Sequence, residues 1–148
     1  MAIPFYGQNK DGDKLNYAAE GTVPIVNIAA GIHHLLEAKD SGSVVILAAN
    51  STEATLPAAA AGLNFTFIFS THATAVCKVN VASGTDDFVG GLNANTGAGD
   101  DAVDGDTFIT TGSATVAGDY VSVVSDGTDW FVLDSYSKVT TNGLAFGS

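Results

Sequence analysis

The chain has 148 residues, 16 acidic side chains against five lysines, no arginine and a net charge of −11. A single domain with a real core fits that length. Without arginine or a basic patch the chain lacks the cations that phosphate neutralisation and base readout require, so nucleic acid and anionic membrane surfaces are excluded as partners.

Charged residues make up only 14% and mean hydropathy is +0.26. That balance fits a β protein rich in small residues, with part of its surface covered by neighbouring subunits, because oligomer interfaces are depleted in charge. The opening "MAIPFYGQNKDGDK" has neither a basic nor an apolar signal region, and "LPAAAAGLNFTFIF" is too short to span a bilayer. Synthesis in the cytosol without membrane entry is expected.

Residues 1–22 are polar and turn-rich and read as an extended arm preceding a domain at 23–148. "TVPIVNIA" (22–29) is a short strand that Pro24 places at an edge or a strand start. "IHHLLEA" (32–38) reads as a strand or one helical turn, and "SVVILAA" (43–49) as an apolar strand. "ATLP" (54–57) is a brief strand, and "AAAAGL" (58–63) is ambiguous, its four alanines favouring a helical turn that Gly62 would stop. "NFTFIFST" (64–71) puts Phe65, Phe67 and Phe69 on one face, and "AVCKVNVAS" (75–83) is expected to pair with it as an antiparallel hairpin across "THAT". Cys77 falls on its apolar alternation as a buried structural thiol.

Residues 84–106 read as a loop rich in Gly, Asp and Asn, followed by weak strands at 107–112 and 113–118. "DYVSVVSDGTDWFVLDSYS" (119–137) is a strand, a turn and a strand, with Asp126-Gly127 as the hairpin signal. The expected fold is therefore all-β, a single antiparallel β-sandwich or jelly-roll-like domain with an extended N-terminal arm. No repeat of solenoid length stands out. The core or trimer interface is expected to contain Phe65, Phe67, Phe69, Val121, Val123, Trp130 and Val132.

Catalytic chemistry finds little support. His33 and His34 are adjacent, so on a strand they point to opposite faces, and His72 has no spaced companion of the kind zinc needs. Neither a nucleophile elbow nor a phosphate-binding loop is present. The stretch "GAGDDAVDGD" (97–106) is the strongest metal candidate, offering Asp100, Asp101, Asp104 and Asp106 to calcium. Against an EF-hand, Ala102 and Thr111 stand where ligands belong. Against a β-roll, the pattern Gly97, Gly99, Asp101, Val103 occurs once, whereas such sites form between stacked repeats. A solvated acidic loop without metal or cofactor is the expectation.

A wider pattern runs through "HHLLEAKDSGSVVILAANSTEATLPAAAAGLNFTFIFST" and "GDYVSVVSDGTDWFVLDS". The positions that carry it are Asp40, Ser41 and Gly42; Thr55, Leu56 and Pro57; Gly62, Leu63, Phe65 and Phe67; then Gly118, Asp119, Val121, Ser125, Asp126, Gly127, Trp130 and Val132. It resembles a β domain of tailed-phage structural proteins over residues 33–134, although the acidic 84–106 segment departs from it. The resemblance implies a non-enzymatic homotrimer, either a capsid decoration (cement) protein or a receptor- or glycan-binding head of a tail fibre. With no shaft sequence in the chain, decoration is the expectation: a trimer on the outer capsid surface of the virion, made in the host cytoplasm and bound to the major capsid protein. Ile3, Pro4, Phe5 and Tyr6 of the arm are then the expected capsid contacts, and the acidic loops would face solvent. Under the fibre-head alternative, or as a free carbohydrate-binding module, Trp130 and Tyr136 are the first aromatic candidates for a ligand platform.

Overall fold

A computed structural model describes residues 23–48, 51–70, 76–95, 99–138 and 143–148. These residues form two mixed β-sheets packed face to face. The only helical element among them is a 3-10 turn at Ala38–Asp40. One sheet has six strands in the order β1 (Ile25–Ile28), β3 (Val44–Leu47), β5 (Asn64–Phe69), β11 (Tyr120–Ser125), β12 (Trp130–Tyr136) and β7 (Phe88–Val89). The other has five, in the order β13 (Leu144–Gly147), β10 (Phe108–Thr111), β6 (Lys78–Asn80), β4 (Glu53–Thr55) and β2 (His33–Leu35). A small ribbon pairs β8 (Gly91–Leu92) with β9 (Asp100–Asp101).

The first six strands alternate between the two sheets, and those sharing a sheet are parallel. Ile25 pairs with Val44 and Val44 with Thr66, while His33 pairs with Glu53 and Glu53 with Lys78. The chain thus winds as a flattened coil whose successive turns advance by 19, 22, 20 and 25 residues at these positions. The expected antiparallel hairpin between 64–71 and 75–83 is corrected: β5 and β6 lie in different sheets, and β6 pairs with β4 and β10. A short repeat is present after all. From β10 onward the pairings are antiparallel except that β12 also pairs in parallel with β7, and the β11–β12 hairpin forms around Asp126-Gly127, with Gly127 at φ 109°.

Alternation builds the core. Val45, Leu47, Phe65, Phe67, Phe69, Val121, Val123 and Trp130 point inward and are at most 1% exposed, and Val132 packs partly buried against them. From the facing sheet come Ala54, Cys77, Val79 and Ile109. The Trp130 and Phe65 rings meet at 5.9 Å, and Phe88 meets Phe146 at 6.2 Å, joining strands of opposite sheets. A register shift opposite Ser122/Val123 lets β12 keep Trp130 and Val132 inward while Leu133 is 66% exposed. That is the accommodation a β-bulge provides.

Other details differ from the sequence reading. Residues 113–118 form turns instead of a strand, and 84–106 contains β7, β8 and β9. The alanine run at 58–63 is a turn with Gly62 at φ 89°, a conformation open to glycine without strain. Pro24 does precede the edge strand β1.

Candidate interaction surfaces

The seven residues expected in the core or trimer interface are occupied within the chain. Six of them are at most 1% exposed and so present no surface to a second subunit. Trp130 at 0% likewise cannot serve as a ligand platform, whereas Tyr136 is 39% exposed and stacks on Tyr120 at 6.5 Å. The arm residues Ile3, Pro4, Phe5 and Tyr6 lie outside the described residues, as does His72.

What lies outward on the six-stranded sheet is informative. The alternate residues of β1, β3, β5, β11, β12 and β7 place Val44, Ile46, Ile68, Val124 and Phe131 on that face, with Ile25 and Leu133 more exposed, together with Asn27, Asn64 and a row of Thr66, Ser122 and Asp134. Register aligns Ile46, Ile68, Tyr120 and Tyr136 in one row across four strands. The one charged side chain among these outward positions is Asp134, which accepts a 2.9 Å hydrogen bond from the Tyr120 hydroxyl. That bond holds the Tyr120 phenol above its ordinary pKa, with burial and the carboxylate charge adding to the effect. In a chain of net charge −11 this face is close to neutral. The uninterrupted "VVIL" of β3 was its sequence signal, because a strand covered on both faces reads as a continuous apolar run.

The opposite outer face is polar. His33, Glu53 and Lys78 form a row across β2, β4 and β6. His33 Nε2 lies 2.7 Å from Thr55 Oγ1, Asn80 Nδ2 donates to Glu53 at 3.4 Å, and Lys78 Nζ sits 4.1 Å above the Phe108 ring. His34, half-buried, aligns with the inward Ala54 and Val79. The adjacent histidines therefore diverge.

The aspartates act as turn acceptors. Asp86 takes N–H from Ala59 and O–H from Ser83, and Asp106 takes N–H from Val103. Asp100 accepts from Phe146 N at 2.8 Å. Asp86 and Asp106 are buried, so the expectation that the acidic 84–106 segment simply faces solvent is corrected for these two; Asp101 and Asp104 are exposed. Asp126 caps its turn by accepting from Asp129 N and Thr128 N at 3.0 and 2.9 Å, which holds its carboxyl below the ordinary range. Among the described residues no group of three or more His, Cys, Asp or Glu is placed to hold a metal ion.

Two shallow cavities are lined by described residues. One of about 200 Å³ lies beside Leu92, Asp100 and Leu144, and another of about 250 Å³ beside Asp87, Val103, Asp104 and Asp129. Both fall below the usual size of a small-molecule site. No described helix is long and apolar enough to cross a membrane. In comparison with known proteins, the chain matches no family model and no curated protein sequence.

Proposed function

We propose that this protein is a non-enzymatic structural subunit, a capsid decoration protein that binds the outer surface of a tailed-phage shell as a homotrimer. The observation that carries this reading is the nearly uncharged outer face of the six-stranded sheet, where aliphatic and aromatic side chains flank the Thr66–Ser122–Asp134 row, on an otherwise acidic molecule. Identical copies of a −11 chain repel one another, so they associate through the surface that carries least of that charge. Burial of aliphatic and aromatic side chains there supplies the attraction. A trimer repeats each shell contact three times, and avidity makes weak contacts sufficient. Binding to the assembled shell in preference to free capsid subunits then stabilises the shell by mass action.

In this reading Ile3, Pro4, Phe5 and Tyr6 contact the major capsid protein. The tail-fibre head remains the second reading, favoured by the exposed Tyr136 stacked on Tyr120, which offers a sugar or receptor an aromatic surface. Sedimentation of the protein with undecorated tailed-phage capsids separates the two. Decoration predicts saturable co-sedimentation that weakens when residues 2–8 are deleted. Binding to host cells or glycans, with none to capsids, would overturn it.

A further inference from the structure

The outer face of the six-stranded sheet is divided by its register. The polar row of Thr66, Ser122 and Asp134 lies beside the row of Ile46, Ile68, Tyr120 and Tyr136, and Val124 and Phe131 lie on its other side. Polar groups resist burial according to the hydrogen bonds and the charge they leave unmet. In this row the hydrogen bonds are met within the chain. Thr66 Oγ1 and Ser122 Oγ share one at 2.8 Å. Asp134 Oδ2 accepts from the Tyr120 hydroxyl at 2.9 Å, and Oδ1 accepts from Ser135 N at 2.8 Å. What a second copy must still bury is the charge.

Nothing beside Asp134 offsets that charge. Among the described residues the one ion pair joins Lys39 to Glu37, and none involves Asp134. β11 faces it with Tyr120 and Ser122, and β7 and β8, also beside β12, carry no titratable side chain. Asp134 pairs with Ser122 and Tyr120 with Tyr136, so the Tyr120 bond runs diagonally between strands. It tethers the carboxylate over the sheet, where it would otherwise be free to swing into water.

We propose that Asp134 is the residue that limits self-association, with a second copy docking along the Ile46–Ile68–Tyr120–Tyr136 row beside it. The inference rests on the reading that copies associate through this face. Each copy brings the same tethered carboxylate, so docking strips water from it and gathers like charges at one interface.

Sedimentation velocity over a dilution series gives the concentration at which the assembly is half dissociated. Asp134→Asn keeps the side chain's shape and can still bond the Tyr120 hydroxyl, but removes the charge. It should lower that concentration at least tenfold at neutral pH. Asp104→Ser removes the same charge from an exposed turn outside the sheet and should change it less than about twofold. Subunit exchange between labelled assemblies reads the same difference where dissociation lies below the measurable range. Equal effects of the two substitutions would assign the change to net charge and overturn the proposal. An assembly that Ile68→Glu disrupts but Asp134→Asn leaves unchanged or weakens would overturn it while association through this face stood. An assembly that Ile68→Glu leaves intact, or a monomer with and without Asp134→Asn, would overturn both.

Discussion

At the scale of single residues, the inward aromatic side chains and the buried hydroxyls pull in opposite directions. Phe67 is fully buried between β3 and β11, so Phe67→Ala leaves a cavity the two sheets cannot close. A loss of about 3–5 kcal/mol is expected in chemical denaturation; a loss below about 1 kcal/mol would contradict the packing described. Ser43 is 1% exposed, and its hydroxyl has no hydrogen-bond partner among the described residues. Ser43→Ala should therefore stabilise the protein, by about 1 kcal/mol, since it removes an unpaired buried polar group. Destabilisation would show that the hydroxyl is bonded. The Tyr120–Asp134 bond delays ionisation of the Tyr120 phenol. Because the folded state raises the phenol's pKa, its contribution is complete below the ordinary value of 10.0 and is lost as pH rises through the folded value. Following phenolate absorbance, one tyrosine should ionise late in the native protein, and earlier in Asp134→Asn; identical titration curves would refute the bond.

At the scale of elements, Asp119 ties the start of β11 to the end of β12. It is fully buried, and its carboxylate accepts from Val116 N and Lys138 N, both at 3.1 Å, and from the Ser137 hydroxyl. Asp119→Ala should cost about 1–3 kcal/mol for each amide left unpaired, measured by denaturant midpoint. Unchanged stability would mean the hairpin does not depend on this tie. Strands were legible in the sequence wherever alternation was clear, as in "NFTFIF" and "YVSVVS", and the β11–β12 hairpin followed from Asp126-Gly127. Pairing partners were harder to read. Consecutive strands usually neighbour one another, which suggested a β5–β6 hairpin, yet β5 pairs back to β3, a full turn earlier. The repeat escaped notice because its turns vary in length and its strands on the second sheet are only three residues long. β13 was missed for a related reason: "LAFG" is short, and glycine stands at Gly147 because a Cβ there would come within 2.5 Å of the Phe108 ring.

At the scale of the whole molecule, the sheets divide the surface unequally. The five-stranded sheet shows solvent a row of His33, Glu53 and Lys78. The six-stranded sheet shows a face of aliphatic, aromatic and uncharged polar side chains whose single strand-borne charge, Asp134, is engaged by a tyrosine. Low overall charge hinted at such a low-charge surface, but the sequence could not say which face, since it places the core phenylalanines and the outward Ile46, Ile68 and Val124 in the same runs. Self-association through that face is the account's central claim. Sedimentation equilibrium of the full chain and of Ile68→Glu tests it most directly. The account predicts three times the 15.0 kDa chain mass for the unsubstituted protein and a folded monomer for the variant. A monomer for the unsubstituted protein, or a trimer that the glutamate leaves intact, would contradict it.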